Sequence, residues 1–250
     1  MNNKSKLYIL SLCIILFFVN NLSGQNTSPN RNEFIDYSDV QIGDYYFADG
    51  TISHELSEKK QCIGVVFSLK TTDIERAKGW THGQIVALVD AEKGQGYRWM
   101  SLDAECSKCC SQTATIGDCR ADKNGYGYSH AIWNNWVSTD NNAFGVAHYY
   151  NFRENLLLKS KISDWYLPSI GQWYDIIENL GHVKILVDGN FNDMKRAQRN
   201  LDEKIGLAPT MYWSSSSKSF RGAWVVVLRA GNINSYDKNY ACSIRAVAAF

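Results

Sequence analysis

Asp164-Trp165-Tyr166-Leu167-Pro168-Ser169-Ile170-Gly171-Gln172-Trp173 places an aromatic extended segment, a proline stop and a helix start in one short run. Trp165, Tyr166 and Leu167 suit a buried extended strand. Pro168 biases Leu167 away from helix. Ser169 can cap the first helical N–H groups, and Gln172 follows at the spacing a capping box requires. Trp173, Ile176, Ile177 and Leu180 then recur at helical spacing and define one apolar face. Gly181 is placed to end the helix in the left-handed conformation. The pattern predicts a helix from Ile170 to Leu180.

Working outward toward the C-terminus, Phe191 to Ile205 reads as a more charged helix ended by Gly206, with Met194, Leu201 and Ile205 as its core stripe. Met211-Tyr212-Trp213 begins a strand that runs into Ser214–Ser217, and Ala223 to Leu228 is the most apolar strand of the chain. Gly231-Asn232 turns, and Cys242 to Phe250 closes with an extended segment. Toward the N-terminus, Asn142 to Arg153 carries Ala143, Val146, Ala147 and Tyr150 at helical spacing. Gly83–Val89 and Cys62–Leu69 are apolar, β-branched runs of the buried-strand kind. Thr71 to Lys78 reads as a short helix, and Asp44–Phe47 as a strand entering a hairpin at Asp49-Gly50. Between them, Glu92 to Ser129 has little periodicity, many glycines and a cysteine cluster, the signature of a long surface excursion. Early strands, helices in the middle and a late antiparallel sheet make an α+β fold. No βαβ rhythm is present, which argues against a parallel nucleotide-binding sheet.

The chain has 250 residues and a net charge of +1, which gives no electrostatic case for nucleic acid as a partner. Lys4 and Lys6 precede an apolar stretch, Leu7 to Val19, too short to span a bilayer comfortably, and small residues follow at Ser23-Gly24. Residues 1–24 are therefore expected to be a cleaved export signal, 25–41 a flexible lead-in, and 42–250 a single domain with a cysteine-rich insert at about 102–129. After cleavage the chain is not expected to be an integral membrane protein. Six cysteines then remain, Cys62, Cys106, Cys109, Cys110, Cys119 and Cys242. An even count in an exported chain favours disulfides over zinc, although Cys106-x-x-Cys109 has ligand spacing. Cys109 and Cys110 would reach Cys106 and Cys119 in either order, leaving Cys62 and Cys242 for a long-range bridge.

Trp165-Tyr166-Leu167-Pro168-Ser169 with Gln172-Trp173, then Tyr212-Trp213-Ser214-Ser215-Ser216, Ala223-Trp224, Gly231 and Ile244-Arg245-Ala246-Val247-Ala248-Ala249-Phe250 form a series. In order and spacing it resembles the signature of the Lcl C-terminal domain family, from about Asp44 to Phe250. Ile42–Tyr46 and Gly79–Gly83 also look like exported members of that family in gut-type Gram-negative bacteria. The resemblance implies a C-type-lectin-like fold. In such a fold the N- and C-terminal strands pair, helices flank a twisted antiparallel sheet, and long irregular loops present a ligand surface. It is similar in fold to the formylglycine-generating enzymes. The Cys106–Cys119 insert and the helix Phe191–Ile205 depart from the pattern. The Glu-Pro-Asn or Gln-Pro-Asp triplet of calcium-dependent sugar binding is missing.

That fold would set Ser214–Tyr240 beside the exposed loops. Ser216, Lys218, Phe220, Arg229, Asn232, Asn234, Tyr236, Asp237, Asn239 and Tyr240 are then the candidate ligand contacts, since this mix of Tyr, Asn and Ser has the chemistry of a paratope. Trp213 and Trp224 flank the strongest strands and belong to the core. The serine run lacks a Gly-x-Ser-x-Gly elbow. His54, His82, His130, His148 and His182 are scattered, and Asp118, Asp122 and Asn124 with Gly125 and Gly127 do not match calcium-loop spacing. The sequence thus points to an exported, non-enzymatic, adhesin-like binding protein, in the periplasm, secreted or on the cell surface. Its partner would be a protein or glycan, with no cofactor or metal. The alternatives are an enzyme using thiol or metal chemistry and a structural subunit of a surface or pilus assembly.

Overall fold

The computed structural model describes residues 36–100, 115–135, 141–158 and 161–250. The export signal, most of the lead-in, and Cys106, Cys109 and Cys110 lie outside the described residues. In chain order the elements are β1 (Tyr45–Phe47), β2 (Ile52–Ser53), β3 (Cys62–Ser68), α1 (Asp73–Ala77) and β4 (Gln84–Ala87), then the helices α2 (Ile116–Cys119), α3 (Gly125–Asn135), α4 (Ala143–His148), α5 (Tyr150–Arg153), α6 (Ile170–Gly181) and α7 (Met194–Ile205). The strands β5 (Met211–Ser217), β6 (Gly222–Val227), β7 (Asn232–Asp237) and β8 (Val247–Ala249) follow. They form one antiparallel sheet of order β2-β1-β3-β4-β8 and another of order β5-β6-β7, so the fold is α+β with flanking helices.

Both sheets are covered on both faces, and this explains their unbroken apolar runs. On β3, Val66 enters one core while Val65 and Phe67 enter the other; on β6, Ala223, Val225 and Val227 face the first core and Trp224 and Val226 the second. α3, α4 and α5 close the first core through Ile132, Phe144, Val146 and Tyr150, and α6 and α7 close the second through Trp173, Ile177, Leu201 and Ile205. Trp165-Tyr166-Leu167 stitches the two together. Trp165 and Leu167 point into the first core and Tyr166 into the second, as the alternation of an extended segment dictates. The Tyr166 N–H donates to Val247 O at 2.9 Å and the Val247 N–H to Tyr166 O at 3.0 Å, so the segment lines the free edge of β8.

The helix start is as expected. Ser169 caps α6, its hydroxyl accepting from Gln172 N–H while Gln172 Oε1 accepts from Ser169 N–H at 2.9 Å. The stop is not at Gly181. That residue is the last of the helix, and His182 takes the left-handed position at φ 52°. In α7 the Gly206 stop holds, at φ 58°, but the buried stripe is Ala197, Leu201 and Ile205, with Met194 only half-buried. Asn142 to Arg153 forms two short helices meeting at Tyr149. Glu92 to Ser129 is not wholly an excursion, because Gly125–Ser129 begin α3. Gly125 is read from sequence as a loop residue, but it serves close packing: a Cβ there would lie 2.2 Å from Gln172 Oε1 and 2.8 Å from Ser169 N. The lead-in is docked by its end, where Tyr37 stacks on His82 at 4.7 Å and its hydroxyl donates to Gly50 O at 2.7 Å.

Two expectations about closure are corrected. The last strand does pair with an early one, but with β4 rather than β1; β3 and β4 stand between β1 and β8. The β1–β2 hairpin and β3 extend the sheet outward from that pair. The Cys62–Cys242 bridge does not form. Cys62 starts β3 opposite Phe47, whereas Cys242 pairs with Tyr97, and Cys62, Cys119 and Cys242 are free thiols. No described helix is long and apolar enough to cross a membrane.

Candidate functional site

The hairpin strands β5, β6 and β7 divide the expected contact set between two ends of one sheet. Gly222 pairs with Asp237 and Val227 with Asn232, so the β5–β6 turn and the end of β7 share one rim while Arg229 and Asn232 sit at the opposite end. That rim gathers Lys218, Phe220, Tyr236, Asp237, Asn239 and Tyr240; Asn234 lies exposed midway along β7. Phe220 is 64% and Tyr240 56% exposed, and the Tyr240 ring meets the Tyr236 ring edge-on at 5.6 Å. Lys218 Nζ lies 4.8 Å from the centre of the Trp224 ring.

The rim's backbone is closed on itself. Lys218 and Ser219 N–H both donate to Gly222 O, at 2.9 and 3.0 Å, and Tyr240 N–H donates to Asp237 O at 2.9 Å. The residue that fixes it was not legible in the sequence. Lys238 is buried, and its ammonium donates to Ser217 Oγ at 2.9 Å, Ser219 O at 3.0 Å and Phe220 O at 3.2 Å while lying 4.3 Å from the centre of the Trp99 ring. A lysine between Asp237 and Asn239 reads as a solvated loop charge, and only the fold brings Trp99 beneath it. The result is a rigid turn that holds an exposed phenylalanine and a tyrosine pair outward. Such a surface can grip a partner at low entropic cost.

Ser216 is corrected: it is buried and takes no part in the rim. Its hydroxyl donates to Asp122 Oδ2 at 2.6 Å and accepts from Ile170 N–H at 2.9 Å. The rest of the serine run is equally inward. Ser214 donates to Trp224 O at 2.8 Å and Ser217 to Ser219 O at 3.0 Å, and the Ser215 hydroxyl is buried without a hydrogen-bond partner among the described residues. Asp122 also accepts from the Tyr128 hydroxyl at 2.9 Å, and Asp118 caps α2 through Thr115, so the acidic residues near Gly125 are engaged in structure. Among the described residues no group of three His, Cys, Asp or Glu is placed to hold a metal ion.

The described thiols are poorly suited to chemistry. Burial pushes Cys62 up to about 11 and Cys242 up to about 12; burial, with the charge of Asp122 behind it, pushes Cys119 up to about 12. Lys204 near Cys62 and Lys218 near Cys119 pull the other way, but burial outweighs them, so none of the three is poised as a thiolate. Of the histidines, His54 faces the Asp44 carboxylate at 2.7 Å, His130 contacts Asn134 at 2.9 Å, and His148 packs on Trp133 at 4.0 Å between ring centres.

No family model matches the chain, and no curated protein does. Among solved structures, a crystal structure of a fimbrial protein from Bacteroides ovatus ATCC 8483 is similar over 84% of this chain, with a TM-score of 0.53 and 16% identity. The likeness covers 49% of that protein, so this chain spans about half of its length. At that identity the resemblance is one of fold.

Proposed function

We propose that the chain is an exported, non-enzymatic subunit of a surface or pilus-like assembly, and that it contacts a protein or glycan partner through the Lys218–Tyr240 rim. The observation that carries this reading is the shared fold with a fimbrial protein over most of the chain. The export-type N-terminus and the exposed Phe220 and Tyr240 on a clamped turn support it. The finer fold assignment, a C-type-lectin-like domain of the Lcl C-terminal kind, belongs to the same proposal. Periplasm, cell surface and secretion are the compartments consistent with it, and Gram-negative origin is part of the reading.

The test is shearing of surface polymers from cells expressing a tagged full chain, followed by fractionation. Recovery in the polymer fraction is the expected result. Recovery only as a freely soluble monomer in the periplasm overturns the assembly reading. For the rim, Phe220→Ala with Tyr240→Ala should abolish retention in the polymer or on immobilised partner while the protein stays folded. Equal retention would show that the rim is not the contact.

A further inference from the structure

A cleft of about 520 Å³ opens where the chain enters β1 beside the ends of α6 and α7, and Asp44, His54, Asn179, His182, Asn200 and Glu203 are among its lining residues. We propose that it is a second binding site, distinct in its residues from the rim, and that its ligand is a neutral, hydroxyl-rich molecule, a sugar residue. The volume falls within the range of roughly 300–1,000 Å³ typical of small-molecule sites.

Four polar groups of the cleft, those of Asp44, His54, Asn179 and Asn200, are held in place by hydrogen bonds before any ligand arrives. Asp44, whose side chain is 5% exposed, accepts from Gln41 N–H at 2.7 Å through one oxygen and faces His54 Nδ1 at 2.7 Å through the other. A proton on Nδ1 is fixed by that carboxylate, which leaves Nε2 of the 51% exposed His54 ring to meet a ligand. Asn179 is anchored by donating to Phe67 O at 2.8 Å, and Asn200 by donating to Gly181 O at 2.9 Å. Each carboxamide is thus oriented by one N–H and keeps its oxygen as an acceptor. Leu180 supplies a buried apolar wall. Oriented amides, a carboxylate and an imidazole beside an apolar wall match a molecule that carries hydroxyls on its edges and C–H groups on its faces.

Charge narrows the class. Asp44 and Glu203 line the cleft together with one lysine, Lys204, whose ammonium lies 3.8 Å from the centre of the Tyr45 ring. The carboxylates outnumber the ammonium group, which disfavours a phosphate or a carboxylate ligand. A further observation comes from the backbone. His182 holds the left-handed cap of α6 at φ 52°, a position glycine fills without strain, and the residue before it is a glycine. The cap carries the exposed His182 side chain to the lining of the cleft.

The experiment is nuclear magnetic resonance on the full chain. Methyl glycosides of glucose, galactose, mannose, fucose and N-acetylglucosamine are the probes, and sodium phosphate is the charged comparison. At least one glycoside should give saturation transfer and move the imidazole signals of both His54 and His182. Glu203→Gln and His182→Gly should each weaken that binding by about ten-fold or more. His182→Gly relieves the left-handed backbone, so loss of binding in that variant cannot be assigned to misfolding. The proposal is overturned if no glycoside moves either imidazole, if phosphate displaces the glycoside with higher affinity, or if both variants bind like the parent. The readout is confined to the cleft, so its failure leaves the rim and the assembly reading standing.

Discussion

Tyr166 and Tyr240 show how one residue type serves opposite ends of this molecule. The Tyr166 ring is fully buried, its hydroxyl donates to Glu75 Oε1 at 2.7 Å, and it accepts from Gln172 Nε2 at 2.9 Å. Tyr240 is more than half exposed, and its ring contact is with Tyr236. Around Tyr166 the polar groups form a chain through the core. Gln84 donates to Glu75 at 2.9 Å, Gln172 Oε1 takes Ser169 N–H, and the Ser169 hydroxyl donates to Asp122 O at 2.7 Å. Asp122 in turn holds Ser216 and Tyr128. Burial and the Glu75 carboxylate push the Tyr166 hydroxyl well above its ordinary range, so it stays a donor at any physiological pH. A network of this kind specifies one arrangement, because each member left without its partner costs desolvation in a low dielectric. The rim asks for the reverse: an ordered backbone beneath side chains left open to a partner.

That contrast breaks most visibly at Trp173. Its ring is fully buried in the α6–α7 core, and its indole N–H donates to Trp213 O at 3.0 Å. Trp173→Ala should cost about 3–5 kcal/mol in urea unfolding. A loss below about 1 kcal/mol would mean that the helix is not seated as described. Tyr166→Phe removes one hydroxyl and leaves Glu75 and Gln172 short of a partner, at an expected cost of about 1–3 kcal/mol. Tyr240→Ala and Phe220→Ala should lie within about 0.5 kcal/mol of the parent, whatever they do to partner binding. If a rim variant destabilised as much as Tyr166→Phe, the rim would be part of the core and not a contact surface.

Thiol reactivity sharpens the same boundary between structure and chemistry. With Cys62, Cys119 and Cys242 raised by burial, labelling with iodoacetamide at neutral pH should be slow for all three in the native protein and fast after denaturation. A rapidly labelled pair among them would favour the thiol-enzyme alternative over a binding protein.

The parts of the fold legible in the sequence are those governed by neighbours in the chain. The Ser169–Gln172 box, the Gly206 stop and the apolar runs of β3 and β6 each carry their reason within a few residues. The misreadings share a cause, which is contact between distant segments. Gly125 looks like a loop residue until Gln172 and Ser169 are brought against it; Ser216 looks like a surface hydroxyl until Asp122, 94 residues away, accepts its hydrogen bond. In the sequence Arg229 and Asn232 group with Phe220 because all lie in one polar stretch. A hairpin sends its two turns to opposite ends, and only the register of β6 on β7 shows which residues meet. Lys238, the clamp of the rim, had no signal at all in its neighbours. The Asp44–His54 pair had a partial one, since the Asp49-Gly50 turn between them brings the two ends of a hairpin together.

The smallest expected effect lies at that same turn, where an ion pair stands in water and not in the core. Lys60 Nζ lies 2.7 Å from Asp49 Oδ2, with the carboxylate 37% exposed. Burial works against ionisation of Asp49, but the Lys60 ammonium and the Thr51 hydroxyl and N–H outweigh it and hold the carboxyl at about 2, below its ordinary 3.8. The folded state therefore binds a proton less readily than the unfolded chain. The pair contributes fully above the unfolded value, and its contribution is lost as pH falls through the window between 3.8 and about 2. Solvent screening keeps the size to a few tenths of a kcal/mol. The stability difference between the parent and Asp49→Asn should accordingly be small at pH 6, shrink on acidification through that window, and shrink also in about 1 M salt. A difference that ignored both acid and salt would assign the turn to the neutral hydrogen bonds of Thr51, and the Lys60 charge would then have no measurable part in holding β1 against β2.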